Sequence, residues 1–330
     1  MRETDNPDTL KLNKDLIDKW LGNEDEEFSL EAMRKKYNIS AESDLFYKTI
    51  SRMVESGQLQ RLRRGWYRKV KQIAPIQWWT GEKTDRIPLK WPYGIEDESS
   101  FGFDDTIEVF PGDSIVIAGT SNQGKTTMAL NLLLNNLDLF PNSRLMVNEY
   151  KPQRFRDRME QFTWANYWNE DKPRFETLPV IENHIDYILK DAHNLIDWLY
   201  IGENFWEVAD RIQRMQMKLG ERGLLTVVLQ KTTIKEWGVG AEWGTFFPAV
   251  YFTIDPPGRL HVWKVKSAPK GIMKPEGKDY AFDIIERGSQ FFNIREVEMC
   301  PSCKGRRFIY GDKCKRCYGK GFVEKQGGEL

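Results

Sequence analysis

The residues best suited to chemistry in this chain form one short glycine-rich loop. Gly119 to Thr126 has the pattern Gly-x4-Gly-Lys-Thr, set between the apolar run Ser114–Ala118 and the helix-like stretch Thr127–Leu134. A phosphate-binding loop requires this order of strand, loop and helix, because glycines let backbone N–H groups curl around a polyphosphate. The helix N-terminus adds its partial positive charge. The alternative is a glycine-rich turn that matches by chance. The pattern predicts that the chain binds a nucleoside triphosphate.

The expected nucleotide contacts cover the loop and the first turn of its helix. Lys125 would reach the β- and γ-phosphates, and the Thr126 hydroxyl would be a ligand of Mg²⁺. The nine residues predicted to bind the nucleotide are Gly119, Thr120, Ser121, Asn122, Gln123, Gly124, Lys125, Thr126 and Thr127. ATP and Mg²⁺ are therefore the expected cofactors.

A second chemical signal lies near the carboxyl terminus, where all four cysteines form two Cys-x-x-Cys pairs. Their members are Cys300, Cys303, Cys314 and Cys317. Four thiolates at this spacing predict a structural, tetrahedral Zn²⁺ site. The glycines that follow each pair resemble the Cys-x-x-Cys-x-Gly repeats of the DnaJ zinc module. A dithiol redox role or chance clustering are the alternatives. Basic residues surround the cysteines, so the module either holds nucleic acid or is only a small domain closed by zinc.

Composition favours a cytoplasmic protein of two or three structural units. The 330 residues include 40% hydrophobic and 30% charged side chains, which is enough apolar material for a substantial core. Lysine plus arginine and aspartate plus glutamate number 49 each, so net charge alone indicates no partner. We expect no membrane span and no signal peptide, because no apolar run reaches about 18 residues and the first residues are polar.

The amino-terminal region is predicted to bind DNA. After a flexible tail at 1–12, residues 13–72 have three helix-like segments and two short extended runs, the pattern of a winged helix-turn-helix. The extended runs are crowded with arginine and lysine, which suits phosphate contacts. The residues expected to contact DNA here are Lys48, Arg52, Arg61, Arg63, Arg64, Arg68 and Lys69. The alternative is a winged helix that docks on protein and carries a solvated basic hairpin.

The rest of the chain is predicted to contain a linker, a large α/β domain and the cysteine module. Residues 73–104 are rich in proline and tryptophan, and such aromatic content favours packing on the next domain or on a neighbouring subunit. From 105 to 296, strand-like and helix-like segments alternate, which predicts an α/β fold with a parallel sheet. Residues 297–330 hold the cysteines.

The segment from about Phe110 to Gly271 resembles the RecA-like core of DnaB-type replicative helicases and, more loosely, the KaiC-like ATPases. The resemblance depends on the phosphate loop and on four later features in the order of that family. They are Glu149 at the end of a strand, Asp197 in Leu-Ile-Asp-Trp-Leu, Gln230 at the end of Leu224–Gln230, and Lys264 and Lys266 in Lys-Val-Lys-Ser-Ala-Pro-Lys-Gly. About half of the chain is covered.

The resemblance implies a role for each of these residues. Glu149 would position the attacking water, Asp197 would hold Mg²⁺ with Thr126, and Gln230 would sense the γ-phosphate. Lys264 and Lys266 would reach the nucleotide of an adjacent subunit. The alternatives without a catalytic role are that Glu149 is a surface carboxylate and that Asp197 is an ordinary strand-end aspartate. Lys264 and Lys266 would then only be exposed residues of a solvated strand.

The chain departs from that family in two ways, and it adds one candidate DNA loop. A lysine replaces the family's arginine finger, and lysine lacks the planar bidentate contact that arginine makes. The basic winged helix replaces the family's helical collar. In the segment after Gln230, Lys231 and Lys235 would contact the phosphates of a bound strand, or the segment is only a mobile glycine-rich connection.

Together these features predict a DNA-dependent ATPase of the RecA/DnaB-like class. The expected form is an oligomeric helicase or DNA translocase, a hexamer or a filament, in replication or recombination of a phage or mobile element. Single-stranded DNA would bind the ATPase core and duplex DNA the winged helix. Two rivals remain open: a helicase loader or recombination mediator, and an ATP-regulated winged-helix DNA-binding regulator without significant turnover.

Overall fold

The computed structural model describes two compact units of the chain. The division falls between Met1–Glu82 and Lys83–Leu330. The described residues are 27–70, 79, 85–148, 151–200, 206–231, 238 and 241–325. Across these ranges, no helix combines the length and apolar character needed to cross a membrane.

The first unit is a small α+β structure. Its elements are β1 (Glu27–Ser29), α1 (Leu30–Lys36), α2 (Asp44–Glu55), β2 (Leu59–Arg63) and β3 (Trp66–Lys69). The three strands form an antiparallel sheet in the order β1–β3–β2. The helix predicted around Leu16 to Leu21 lies outside the described residues, so the winged helix-turn-helix stays a prediction.

Helix α2 begins and packs as its sequence requires. Ser43 is the N-cap, and its hydroxyl accepts a hydrogen bond from the Phe46 amide. Phe46, Ile50 and Met53 follow at a spacing of four and three residues, so they lie on one helix face. All three are buried in one cluster with Met33 and other apolar residues of the unit. The opposite face of α2 is left to solvent.

The second unit is built on a ten-stranded mixed sheet. Its main strands are β4 (Ser114–Gly119), β5 (Ser143–Val147), β8 (Phe175–Pro179), β9 (His193–Asp197), β10 (Leu224–Gln230), β11 (Val250–Asp255), β12 (Arg259–Val265), β13 (Asp279–Ile285), β14 (Gln290–Met299) and β17 (Phe322–Glu324). Short pairs are formed by β6 (Trp168–Asn169) with β7 (Lys172–Pro173) and by β15 (Phe308–Ile309) with β16 (Asp312–Lys313). The helices are α3 (Phe103–Thr106), α4 (Lys125–Asn135), α5 (Pro152–Met159) and α6 (Glu207–Gln216).

The order of strands in this sheet brings distant residues to one edge. The order is β17–β14–β13–β12–β11–β4–β10–β9–β5–β8, and the six strands from β11 to β8 are parallel. Parallel strands end at the same edge of a sheet, so Gly119, Gln230 and Asp197 meet there. The mixed α/β class is confirmed, and the large parallel-rich sheet is consistent with a RecA-like core.

Apolar residues cover both faces of the sheet. On β4, Ile115 and Ile117 belong to one buried cluster, and Val116 and Ala118 belong to a second. This split follows from the alternation of side chains along a strand. The first cluster includes residues of α4 and the aromatic stretch that precedes β4, and the second includes residues of α6. The phosphate loop therefore leaves a strand that is buried on both faces.

His193 gives this core a pH dependence that can be measured. It is completely buried, its Nε2 lies 2.9 Å from Thr226 Oγ1, and burial lowers its pKa to about 3. As pH falls below the ordinary histidine pKa of about 6.5, His193 becomes protonated in the unfolded chain but stays neutral in the folded chain. We therefore expect this histidine to cost about 2 kcal/mol of stability between pH 7.5 and pH 5, measured by urea unfolding. In His193→Gln that part of the pH slope disappears, and an unchanged slope would contradict the assignment.

Candidate nucleotide site and metal centre

The glycine-rich loop between β4 and α4 depends on two glycines for its shape. A Cβ on Gly119 would stand 2.5 Å from the Ile254 carbonyl oxygen, so a side chain there would push β11 away. Gly124 caps α4 with φ +102°, a conformation that favours glycine. Asn122, within the loop, also has a positive φ of 59°. The backbone of the loop therefore curls tightly before the helix begins, as a phosphate cradle needs.

Lys125 is the first residue of α4 and lies inside this curl. Its side chain is only 8% exposed, and its ammonium donates a hydrogen bond to the Thr120 carbonyl oxygen at 2.7 Å. The Thr120 amide in turn donates to the Ile254 carbonyl oxygen at 3.3 Å. The loop thus holds a buried positive charge and is itself attached to β11.

Thr126 and Asp197 meet although 71 positions separate them in the chain. Thr126 Oγ1 lies 3.3 Å from Asp197 Oδ1, and Asp197 is 5% exposed at the end of β9. A hydroxyl and a carboxylate side by side are hard oxygen donors of the kind that Mg²⁺ prefers. The donor set therefore fits the predicted magnesium ion.

The end of β10 also contacts the loop. Gln230 Nε2 donates to Ser121 Oγ at 2.9 Å, and the amide of the next residue, Lys231, donates to the Gly119 carbonyl oxygen at 2.9 Å. Gln230 pairs with Gly119 in the parallel ladder. A polar side chain at this position touches the loop directly, which suits a sensor of the bound phosphate.

Glu149 lies outside the described residues, but the strand before it does not. Val147 of β5 pairs with Asp197 of β9, so the chain leaves β5 beside the predicted metal ligand. Asn148 donates from Nδ2 to the Trp198 carbonyl oxygen at 2.9 Å. Its buried Oδ1 has no hydrogen-bond partner among the described residues. Strand β5 therefore ends at the same edge of the sheet as Asp197, and the role of Glu149 stays a prediction.

Thr127 is engaged by the protein itself. Its hydroxyl donates to the Gly288 carbonyl oxygen at 2.7 Å and lies 3.2 Å from Arg158 Nη2, which also donates to the Gly288 carbonyl oxygen at 2.9 Å. The turn between β13 and β14 is thereby fastened to the start of α4. Arg158 was not among the predicted site residues, although it lies in a visibly basic stretch of α5.

Lys231 is buried, and its charge is satisfied inside the protein. The residue is 5% exposed, and its ammonium donates to both carboxylate oxygens of Asp255, at 2.5 and 2.6 Å. In this structure that charge is not available to the phosphates of a bound strand, because Asp255 neutralises it. Lys235, its predicted companion, lies outside the described residues.

The Lys231–Asp255 pair predicts a large stability effect of one substitution. Lys231→Met leaves a nearly buried carboxylate without its main partner, which costs about 3 kcal/mol in chemical unfolding. The double change Lys231→Met with Asp255→Leu removes both charges, so we expect it to recover most of that loss. Equal destabilisation by the single and double variants would contradict the pairing.

Lys264 and Lys266 lie at the opposite edge of the sheet from the phosphate loop. The Lys266 amide donates to the Ala249 carbonyl oxygen, and the Ala249 amide donates to the Ser114 carbonyl oxygen at the start of β4. Gly119 lies five residue steps along β4 from Ser114, a rise of about 17 Å. Lys264 donates to the carbonyl oxygen of Thr245 at 2.7 Å. Burial and the neighbouring Lys266 lower the pKa of Lys264.

The four cysteines form one compact cluster. Their sulfur atoms all lie within 4.8 Å of one another, and every cysteine is buried. Cys300 and Cys314 Sγ are 3.9 Å apart, and Cys303 and Cys317 Sγ are 3.6 Å apart. These separations exceed a disulfide bond and match the roughly 3.8 Å between sulfurs that share a tetrahedral zinc at 2.3 Å. The donor set fits a structural Zn²⁺ ion.

The cysteine module is attached to the sheet of the second unit. Strands β14 and β17 enter and leave it as an antiparallel pair, Met299 opposite Phe322. Arg307 also donates a hydrogen bond to the carbonyl oxygen of Pro256, in the turn between β11 and β12. That turn follows Asp255, the partner of Lys231. A chain of contacts therefore links the module to the residue next to Gln230.

The basic hairpin of the first unit is open to solvent. All seven residues predicted to contact DNA in this unit are exposed, and none forms an ion pair with a carboxylate in the described part of the unit. Arg63 lies over the Trp66 ring at 4.6 Å, and Arg68 donates to the Gln60 side chain at 2.7 Å. The hairpin therefore presents uncompensated positive charge.

Comparison with known proteins gives a structural likeness but no match to a family model or a curated protein. No protein-family model matches the sequence, and no curated protein matches it at a significant level. Among solved structures, the chain is similar to the KaiC-like protein PH0186 from the hyperthermophilic archaeon Pyrococcus horikoshii OT3. The sequences are 14% identical and the TM-score is 0.44, over 64% of this chain and 100% of the other.

Proposed function

We propose that this chain is a DNA-dependent ATPase of the RecA/DnaB-like class that works as an oligomeric helicase or DNA translocase. The observation that carries the proposal is the contact of Thr126 with Asp197 at 3.3 Å, beside the buried ammonium of Lys125. A metal-binding pair and a fixed cation at the mouth of a phosphate loop are the parts that phosphoryl transfer needs.

In this proposal Lys125 changes partner when nucleotide binds. Its ammonium leaves the Thr120 carbonyl oxygen and pairs with β- and γ-phosphate oxygens, while loop amides hold the remaining oxygens. Thr126 and Asp197 hold Mg²⁺, which supplies the positive charge that phosphoryl transfer requires. Because Lys125 is already buried and oriented, little side-chain entropy is lost when the phosphates arrive.

Gln230 and Glu149 are proposed to act on the γ-phosphate side. Glu149 would orient the attacking water, since the chain leaves β5 beside Asp197. Gln230 would exchange its Ser121 contact for the γ-phosphate and would pass the change to the segment that follows β10. That segment contains Lys235 and is the proposed site of single-stranded DNA in the core.

Oligomerisation is proposed because of where Lys264 and Lys266 lie. At the opposite edge of the sheet, the two lysines are too far from the phosphate loop of their own chain to contact its nucleotide. Their position suits contact with the nucleotide of a neighbouring chain. Lys266 is exposed, so its side chain is accessible to a neighbouring chain. A lysine provides a point charge without the bidentate geometry of arginine, so we expect a weaker trans contribution than an arginine finger makes.

The first unit is proposed to bind duplex DNA through its basic hairpin and through Lys48 and Arg52 on the exposed face of α2. Contacts of this kind fall steeply with salt. The cysteine module is proposed to be a structural zinc module. In this scheme zinc takes no part in the reaction, because four cysteines complete its coordination.

The test is ATP turnover by the zinc-loaded full chain with and without single-stranded DNA, followed by displacement of a labelled strand from a forked duplex. The proposal expects DNA to stimulate turnover at least several-fold and ATP to be required for displacement. Stimulated turnover without displacement would favour a loader or mediator. Negligible turnover with a footprint at a defined duplex site would favour the DNA-binding regulator. Each of these two results would contradict the proposed helicase or translocase.

A further inference from the structure

Two tyrosines of the cysteine module project into solvent from tight turns. Tyr310 is fully exposed, at 103% of its reference area, and Tyr318 is 81% exposed. Little or none of either residue is buried, so packing in the core does not explain them. Phe308, on the strand before Tyr310, is also 49% exposed. Aromatic surface is thus concentrated on a module of fewer than thirty residues.

The backbone holds both tyrosines in an unusual conformation. Tyr310 has φ 53° and Gly311 φ 92° in the two-residue turn between β15 and β16, where asparagine and glycine are preferred. Tyr318 has φ 52° and precedes Gly319 at φ 81°. Both tyrosines therefore have a backbone conformation that is unfavourable for a residue with a side chain. Burial of their rings does not offset that cost. Both turns adjoin the cysteine cluster, and Tyr318 directly follows Cys317 in the chain.

The module has two knuckles, which are the Cys-x-x-Cys turns at Cys300 to Cys303 and at Cys314 to Cys317. They are built alike but differ at the residue after the second cysteine. After Cys303 comes Lys304 at φ 48°, and after Cys317 comes Tyr318 at φ 52°. Both are followed by a glycine with positive φ. One knuckle therefore presents a cation and the other an aromatic ring from the same backbone position.

The charge around the tyrosines is strongly positive. Residues 300–325 contain eight lysines and arginines against two acidic residues. Six of these cations are exposed and form no ion pair with a described carboxylate: Lys304, Arg306, Lys313, Lys315, Arg316 and Lys320. A Cβ on Gly319 would touch the Lys313 side chain at 3.4 Å, so the second knuckle and the β15–β16 hairpin lie side by side. Both tyrosine-bearing turns thus lie among exposed positive charges.

We infer that the cysteine module is a binding platform for single-stranded nucleic acid, in which Tyr310 and Tyr318 stack on unpaired bases. Exposed rings on tight turns suit bases whose faces are open, whereas in a duplex those faces are covered by neighbouring pairs. The six cations suit the phosphates between the bases. This extends the proposed DNA-dependent ATPase by giving it a single-strand contact outside the ATPase core.

The test measures binding without nucleotide, so that it does not depend on ATP hydrolysis. The zinc-loaded full chain binds a fluorescent (dT)20, and its affinity is read by anisotropy for Tyr310→Ala, Tyr318→Ala and the double variant. We expect roughly tenfold weaker binding for each single change and recovery with Tyr→Phe, because phenylalanine keeps the stacking face. Tyr187→Ala, a change at an exposed tyrosine elsewhere in the unit, leaves affinity unchanged.

Two further measurements separate this inference from other outcomes. An oligonucleotide of abasic sites keeps the phosphates but lacks bases, so wild type binds it as weakly as the double variant binds (dT)20. Photocrosslinking of an iodouracil strand labels Tyr310 or Tyr318. Unaltered affinity in the double variant with crosslinks only elsewhere would overturn the inference, as would equal competition by duplex. A wild-type protein that binds (dT)20 through these tyrosines but shows no DNA-stimulated ATP turnover would support this inference and contradict the proposed DNA-dependent ATPase.

Discussion

Asp197→Asn lowers ATP turnover on the order of 10³-fold while nucleotide binding in the absence of Mg²⁺ stays within a few-fold of wild type. The carboxylate lies 3.3 Å from the Thr126 hydroxyl, and we propose that both groups are ligands of Mg²⁺. Asparagine keeps its size and one oxygen but loses the charge that draws Mg²⁺ to the phosphates. Steady-state turnover over a magnesium titration measures the effect, which should appear mainly in kcat and in the magnesium requirement.

The control for Asp197→Asn is the same substitution at Asp171, an exposed aspartate of the same unit. Thr126→Ser, which retains the hydroxyl, should keep most activity, whereas Thr126→Ala should approach the Asp197 variant. Turnover within about threefold of wild type in Asp197→Asn would mean that Asp197 is an ordinary strand-end aspartate.

Cys303→Ser abolishes stable zinc binding and unfolds the module between β14 and β17. Four buried sulfurs within 4.8 Å of one another supply the whole coordination shell, and the module has few other buried side chains to hold it. A structural zinc ion contributes folding free energy directly, so loss of one thiolate should weaken zinc binding by at least roughly 100-fold. Zinc content after dialysis against a chelator and limited proteolysis of 300–325 are the measurements.

Ser302→Ala, inside the same Cys-x-x-Cys pair, is the matched control and should retain one zinc ion per chain. Because Arg307 contacts the turn that follows Asp255, we also expect the zinc-free variant to be less stable in the second unit. Wild-type protein purified without any bound metal, or full zinc retention by Cys303→Ser, would contradict the structural zinc site.

The parts of the site that could be predicted from the sequence are the local ones. The phosphate loop and the cysteine pairs are short patterns whose spacing alone dictates their chemistry. Both have the expected geometry: Gly124 adopts a positive φ at the start of α4, and four sulfurs converge. Asp197 is predicted from the family resemblance of Leu-Ile-Asp-Trp-Leu, within an otherwise apolar run, but its distance to Thr126 depends on the strand order across 71 positions.

Residues whose role depends on distant partners could not be placed in this way. The sequence predicts an exposed loop cation at Lys231. In the structure its ammonium is buried and donates to Asp255, 24 positions later. The sequence predicts that Thr127 contacts the nucleotide. In the structure its hydroxyl donates a hydrogen bond to the carbonyl oxygen of Gly288, in the turn between β13 and β14. The exposure of Tyr310 likewise required the turn to be known, because a tyrosine is more often buried than fully open.

The most direct measurement is ATP hydrolysis by wild type and Lys125→Ala, compared in parallel with the exposed-site control Lys172→Ala. Saturating Mg²⁺ and single-stranded DNA are present throughout. The proposed function predicts saturable turnover in wild type and in the control, and a loss of at least roughly 100-fold in Lys125→Ala, since the buried ammonium is the fixed charge on the transferred phosphate. Equal rates in wild type and Lys125→Ala would contradict it, because the phosphate loop would then not be the site of hydrolysis.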